Sequence, residues 1–473
     1  MRSPPTETPP IKVEQHLRLK SMADLNKRLS ELVDTYGVPG ASLAVWSGGT
    51  LTEAAAGVVN LNTGIATTTN TLFQIGSITK LYVAAMCLQL VDEGKLALDA
   101  PVRDILADFN LGDEDVAAQL TLRHLLSHRS GIEGDYFEDA GRGEDRIAKF
   151  VGMLGAVPQV HPLGAMFSYC NTGFVIAGRL IEVAGGLGWD KAVRARMAKP
   201  LGTPAFSTLP EQALRYHTAI GHLGTPGKLM VTPIAYLAQS NAPAGSMQMA
   251  PARDIVTFGR MLADGGVAPN GTRILSEAAV KAMHTANVVC PQGMHIDEVG
   301  LATFMWDWDG DGVMDTFGHD GSTIGQAAWL RYHPASGTVF VLLTNGGNGK
   351  GMAQELMRDV FAPAGIAPKD APEAKELMTF DPALYVGRYA NVMETVEVSA
   401  EGSALVATII PSPAAAVIAG TRRVALEPVS AELFIGVAPG YTESATYHFL
   451  RRDENGRAGI LHSGVRAHKR VAS

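Results

Sequence analysis

Ser77 and Lys80 lie three residues apart in Phe73-Gln74-Ile75-Gly76-Ser77-Ile78-Thr79-Lys80, a pairing that could do nucleophilic chemistry. Ile78, Leu81, Tyr82, Ala85, Met86 and Leu90 recur behind it at helical spacing, and Gly94 reads as the C-cap. Ser77 is therefore expected at a helix N-terminus, where free backbone N–H groups and the positive dipole end favour an anion. The spacing brings the two Cβ atoms within about 5–6 Å on one face. A lysine partly desolvated there can lose its proton and serve as base for the serine hydroxyl. Taken alone, S-x-x-K reads as an ordinary N-cap serine followed by a surface lysine, so the chemistry needs partners.

Two further stretches offer them. Tyr169 and Asn171 lie in Phe167-Ser168-Tyr169-Cys170-Asn171-Thr172-Gly173, before a helix with Phe174, Ala177, Ile181 and Ala184 on one face. Tyr169 reads either as a packed aromatic with a hydrogen-bonded tip or as a proton carrier, since a phenol beside a lysine ammonium can have its pKa lowered. The other stretch is Phe317-Gly318-His319-Asp320-Gly321-Ser322, on a strand. His124 and His128, in Leu122-Arg123-His124-Leu125-Leu126-Ser127-His128-Arg129-Ser130-Gly131, are four apart on one helix face. That is metal-ligand spacing, but no Glu lies between them and no third ligand follows, so they read as structural histidines. Asp307-Trp308-Asp309-Gly310-Asp311-Gly312 resembles the start of a calcium loop. The Glu that closes such a loop would fall at Gly318 and no helical pattern precedes it, so the reading is a hairpin turn, with weak calcium binding as the alternative.

The elements that must position these groups follow from periodicity and turn residues. Leu25, Leu29, Leu32 and Val33 form one helical stripe, started by a Ser21/Asp24 capping box and stopped by Gly37 and Pro39. Residues 40–47 and 50–58 read as a hairpin around Ser47-Gly48-Gly49. From about 78 to 200 the pattern is mainly helical, with 134–146 an acidic, solvated loop. Ala242-Pro243-Ala244-Gly245-Ser246-Met247 is a turn that could line a cleft, and a helix near 251–264 follows. Leu301 to Asn345 reads as antiparallel sheet, with strands at 326–333 and 338–345 and a closing helix near 351–362.

The chain has 473 residues, 46% of them hydrophobic and 18% charged, which requires at least two compact units with large interiors. The formal net charge of −8 argues against nucleic acid or an anionic membrane as partner. Cys87, Cys170 and Cys290 are odd in number and far apart, neither a disulfide framework nor a metal pattern. Residues 1–21, rich in Pro and Thr, lack a signal-peptide apolar core and are expected to be a disordered tail. The expected location is cytoplasmic, or periplasmic or secreted if a leader is missing. No apolar run of about eighteen residues predicts a membrane span.

Ser77-x-x-Lys80, Tyr169-x-Asn171 and His319-x-Gly321 occur in an order and approximate spacing that resemble the serine β-lactamase/penicillin-binding-protein superfamily. The likeness is to its class C-like branch of esterases, D-aminopeptidases, D,D-peptidases and related amidases. Leu125-Leu126-Ser127-His128-Arg129-Ser130-Gly131 and Gly318-His319-Asp320-Gly321-Ser322 resemble further stretches of that branch. The resemblance implies an α+β fold, an antiparallel sheet flanked by helices plus a helical subdomain, over residues 22–365. It also implies roles. Ser77 is the acylated nucleophile, Lys80 its base, Tyr169 the proton relay to the leaving group, and Asn171 orients Lys80 and substrate. The backbone N–H groups of Ser77 and Ser322 form the oxyanion hole beside Gly321. No metal or organic cofactor is implied. True class C β-lactamases carry Lys where this chain has His319. A neutral imidazole offers a weaker, pH-dependent attraction for a carboxylate, so β-lactamase action is not the expected main activity.

Residues 366–378 read as a linker, and 379–473 as a separate all-β domain of short alternating runs at 394–399, 404–409, 421–427, 432–436, 445–451 and 459–463. Tyr385-x-Gly387-x-Tyr389 resembles the start of the lipocalin-like barrel that several relatives carry. The expected function is hydrolysis of an amide or ester in a small peptide-like substrate, with D-residue or linearised-peptide substrates fitting the His-x-Gly form. Carboxylesterase action on short acyl esters, a penicillin-binding-protein-type thioesterase that cyclises peptides, and a catalytically silent scaffold are the alternatives. Oligomeric state is left open.

Overall fold

The computed structural model describes residues 22–472 except 226, 376–378, 418–419 and 439–443. The expected tail at 1–21, the Ser21 cap and the last three linker residues lie outside the described residues. Helix α1 (Met22–Thr35) leads into β1 (Gly40–Ser47) and β2 (Thr50–Gly57), the expected hairpin. Then come α2 (Thr79–Asp92), α3 (Leu122–Leu126), α4 (Asn171–Gly185) and α5 (Ala252–Ala263). The short strands β3 (Val288–Val289), β4 (Glu298–Val299) and β5 (Phe304–Trp306) precede β6 (Thr316–Ser322), β7 (Ala327–His333) and β8 (Thr338–Thr344), and α6 (Gly349–Phe361) follows. The sheet is antiparallel in the order β2-β1-β8-β7-β6-β5-β4-β3.

Alternation along the strands explains why both faces of this sheet are covered. In β8, Val339, Val341 and Leu343 pack into one core and Phe340 and Leu342 into the other. In β1, Ala44 faces the first core and Leu43 and Val45 the second. Successive side chains point to opposite faces, so an unbroken apolar strand needs a helix layer on each side. Ile255, Val256, Phe258 and Met261 of α5 supply one layer; Leu25, Leu29 and Leu32 of α1 with Met352, Leu356 and Phe361 of α6 supply the other. Helix α2 is buried on nearly all sides, as a helix apolar all round must be. Its end is a Schellman motif: Gly94 at φ +69°, Lys95 N–H to Leu90 O at 2.8 Å and Gly94 N–H to Val91 O at 2.9 Å.

The C-terminal region is a closed antiparallel barrel of eight strands among the described residues: β9 (Gly387–Ala390), β10 (Glu394–Glu401), β11 (Ala404–Pro411), β12 (Arg422–Pro428), β13 (Leu433–Val437), β14 (Ser444–Arg452), β15 (Ala458–Ser463) and β16 (Arg466–Val471). Each strand pairs with the next, and β9 with β16 closes the ring. Val396 and Val398, Leu405 and Ala407, Val424 and Leu426 point inward at every second position and fill the core with Tyr385, Tyr389, Phe434 and Phe449. Residues 458–463 and 466–471 form the last hairpin, whose second strand no apolar alternation announces. Among the described residues, no helix is long and apolar enough to cross a membrane.

Candidate active site

The junction from Phe73 to Lys80 enters on a two-residue strand paired with Met249–Ala250, passes through a 3-10 turn (Gly76–Ile78), and continues as α2. Ser77 is half-buried while its neighbours are buried. Gly76 has φ +52°, and a Cβ there would sit 2.5 Å from Ser322 N. A Cβ on Gly321 would meet Ile75 O at 2.0 Å and lie 3.3 Å from Ser77 N. Glycine at both positions lets β6 touch the serine turn, backbone to backbone, so that Ser77 N and Ser322 N neighbour one another.

Lys80 is fully buried. Its ammonium nitrogen reaches Ser77 Oγ at 3.1 Å, Asn171 Oδ1 at 2.7 Å and Ala244 O at 2.6 Å. All three acceptors are uncharged oxygens. Burial pushes its pKa well below the ordinary lysine value, and the nearby Arg466 charge pushes the same way; Asp135 opposes. Ala244 belongs to the turn expected to line a cleft.

Tyr169 stands over the same spot, its ring centroid 4.9 Å from Lys80 Nζ and its hydroxyl 3.5 Å from His319 Nε2. The expectation that lysine would lower its pKa is overturned. Burial raises it well above the ordinary tyrosine value, and hydrogen bonding with Ser77 and the Arg466 charge only moderate the rise. At neutral pH Tyr169 is a phenol, a donor of protons rather than a phenolate base.

His319 was expected to be a neutral imidazole with a pH-dependent pull on a carboxylate, and its burial removes the pH dependence. The ring is buried, stacks on Phe304 at 4.0 Å between centroids, and donates from Nδ1 to the Asp320 carbonyl. Burial, then the Lys80 charge, lowers its pKa to about 3, so the imidazole is neutral throughout the physiological range. His124 and His128 do not share a helix face, because α3 ends before His128, which adopts φ +57°. His128 Nδ1 accepts from Cys170 N–H at 2.9 Å and the ring stacks on Tyr169 at 4.3 Å, which fixes the tyrosine plane.

The stretch 134–146 is a loop, but it is not solvated at its start: Gly134 and Asp135 are buried. Asp135 Oδ1 accepts from Asn171 Nδ2 at 2.6 Å, and the Asp135 carboxylate is gripped by Arg466 of β16. These two residues are the part of the site that sequence reasoning missed. Asp135 sits in an acidic run and Arg466 in a basic one, both patterns of exposed surface. All seven expected positions, Ser77, Lys80, Tyr169, Asn171, His319, Gly321 and Ser322, come together around the Ser77 turn.

The Asp307 stretch forms the hairpin turn between β5 and β6. Asp307, Asp309 and Asp315 place carboxylate oxygens within 4.8 Å of one another. Their oxygens accept turn N–H groups, Gly310 to Asp307 at 2.8 Å and Asp309 to Asp315 at 2.9 Å, and Lys369 pairs with Asp307 at 3.4 Å.

The fold and motifs define a class, and the comparisons bear it out. The beta-lactamase family model matches residues 25–363, so the chain belongs to the beta-lactamase family. It is 41% identical over 374 residues to penicillin-binding protein 4 of Amycolatopsis lactamdurans, covering 78% of this chain and 97% of that protein. The crystal structure of SurE superposes with a TM-score of 0.75 at 28% identity, over 95% of this chain and 99% of SurE; that of SurE with D-Leu gives 0.72 at 27%, over 95% and 99%. The D-amino acid amidase of Ochrobactrum anthropi SV3, complexed with L-phenylalanine amide, shares the fold with a TM-score of 0.59 at 24% identity, over 72% of this chain and 99% of the amidase.

Proposed function

We propose that this chain is a serine hydrolase that forms a covalent acyl-enzyme at Ser77 and cleaves an amide or ester bond in a small peptide-like substrate. The observation that carries the reading is a fully buried lysine 3.1 Å from the serine hydroxyl whose hydrogen-bond acceptors are all uncharged. Burial and uncharged acceptors favour the neutral amine of Lys80, the form that accepts a proton.

Acylation follows. Lys80 Nζ takes the hydroxyl proton as Ser77 Oγ attacks the substrate carbonyl carbon. The oxyanion of the tetrahedral intermediate accepts from the N–H groups of Ser77 and Ser322, an interaction whose loss in other enzymes costs about 3–4 kcal/mol. As the bond to the leaving group breaks, the phenol of Tyr169 gives that group its proton and is reprotonated from the Lys80 ammonium. In the second half water takes the place of the leaving group, and the same proton path runs in reverse to release the acid. Asn171 holds Lys80 through its amide oxygen. His319, neutral, offers hydrogen bonding rather than charge at the cleft wall.

Substrates with a D-residue at or beside the scissile carbonyl are the favoured subclass, supported by the likeness to SurE, whose structure was determined with D-Leu. Residues 22–365 are proposed as the hydrolase domain and 379–473 as a separate domain that braces it. The test is turnover by wild type and Ser77→Ala on p-nitrophenyl esters, D- and L-amino-acid amides and linear peptides, with product masses. Gain of water marks hydrolysis, and its absence with leaving-group release marks ring closure or transfer. Turnover retained in Ser77→Ala overturns the reading.

A further inference from the structure

The barrel reaches the residues around Ser77. Its last turn, Ser463-Gly464-Val465, places Val465 O where Tyr169 N–H donates to it at 2.8 Å, and Ala467 N–H donates to Ser168 Oγ at 3.1 Å. From the same edge the Arg466 guanidinium forks onto Asp135, Nε to Oδ2 and Nη2 to Oδ1, the latter at 3.1 Å. At the opposite end of this segment Glu133 accepts from Val392 N–H, in the β9–β10 turn, at 3.0 Å, while its other oxygen accepts from Gly134 N–H at 2.9 Å. The barrel thus holds residues 133–135 at both ends.

We infer that Arg466, contributed by the C-terminal barrel, is a positioning residue for acylation at Ser77: through Asp135 it fixes the Asn171 amide that holds Lys80. The inference rests on the Ser77–Lys80 reading above. Asp135 is an acceptor, so it selects the NH2 end of Asn171 at 2.6 Å and turns the amide oxygen to Lys80 at 2.7 Å. Without that carboxylate either end of the amide can face the lysine, and the NH2 end would cost Nζ the Asn171 acceptor, leaving it Ser77 Oγ and Ala244 O. The carboxylate in turn needs its cation. The Asp135 side chain is 4% exposed, against 33% for Arg466, and a buried carboxylate without a partner is costly.

The groups facing Lys80 come from every element around it. Arg466 from β16 disfavours its charged form and Asp135 from the loop favours it; Cys170, whose thiol burial pushes up to about 11, and Tyr169 precede α4; His128 and His319 stand across the cleft, both held neutral by burial. Arg466 and Asp135 act on Lys80 with opposite signs.

That opposition gives a test that a merely structural role would not pass. The rate of labelling by a fluorophosphonate is followed by intact mass across roughly pH 6–10, where an ascending limb reports deprotonation of the base. The proteins are the full chain as wild type, Arg466→Met, Arg466→Lys, Asp135→Asn and the Arg466→Met/Asp135→Asn double variant. Arg466→Met is expected to move the limb to higher pH by about one unit, and Asp135→Asn to lower pH. The double variant returns the limb to near the wild-type position with a lower plateau, and Arg466→Lys keeps the limb while lowering the plateau. If Arg466→Met fails to fold by circular dichroism, the acid-ward shift in Asp135→Asn, which preserves shape, decides. Limbs that overlay wild type in every folded variant overturn the inference while leaving the Ser77 reading in place. An unlabelled wild type, or a labelled Ser77→Ala, overturns that reading instead.

Discussion

The Tyr169 hydroxyl lies 3.5 Å from His319 Nε2, and the histidine proton is committed on the other side of the ring, to the Asp320 carbonyl. A phenol therefore faces an imidazole lone pair, both uncharged at neutral pH. With the imidazole pKa lowered to about 3, protonation begins only in strong acid. Replacing His319 by Gln should leave the position of the pH–rate limb unchanged while altering KM. A limb displaced by half a unit or more, roughly twofold in the charged fraction or beyond, would show that His319 titrates during turnover.

Lys80 gives the opposite signature. Its folded-state pKa lies below its ordinary value, so acylation should rise with pH and level off beneath the usual lysine range. The unfolded chain binds the extra proton between these two values, so Lys80 makes stability increase with pH across that window. Thermal melts of wild type and Lys80→Met at several pH values check this. The difference between their melting temperatures should shift in favour of wild type as pH rises.

Removing the proton carriers separates chemistry from folding. Lys80→Ala and Tyr169→Phe should each slow acylation by roughly 10²–10⁴, the usual range for a general acid or base, with the fold retained. Single-turnover labelling measures it. A loss below about tenfold in Tyr169→Phe would remove the phenol from the proton path.

Contact between β6 and the serine turn predicts the effect of one methyl group. In Gly321→Ala the new Cβ would meet Ile75 O at 2.0 Å, so the two backbones must part and Ser322 N must leave Ser77 N. The expected result is a loss of about 10²–10³ in acylation, the scale of one oxyanion donor, with destabilisation of about 1–3 kcal/mol from overpacking. Kinetics with a chemical melt distinguish the two.

How far the sequence reached follows from what each signal measures. Period-2 and helical spacing placed β1, β2, α2, β7 and β8 to within a few residues, because these elements are apolar enough to declare their buried faces. The seven site positions were legible from three motifs, Ser77-x-x-Lys80, Tyr169-x-Asn171 and His319-x-Gly321, whose order resembles a known family, and not from any one short pattern. Arg466 was not, since Arg466-Ala467-His468-Lys469-Arg470 is basic and only pairing with β15 and closure against β9 make it a strand. Asp135 was hidden in the same way: its burial comes from a contact 331 residues away in the chain. The direction of the Tyr169 shift also escaped, because adjacency to lysine is visible in a motif while the desolvation that outweighs it is a property of the packed cleft.

The central claim is that Ser77 is an activated nucleophile, and intact-mass spectrometry after incubation with a fluorophosphonate tests it most directly. Wild type should gain the mass of one phosphonyl adduct, with the modified peptide containing Ser77, and Ser77→Ala should gain none. Absence of an adduct on wild type, or an equal adduct on Ser77→Ala, would contradict the account.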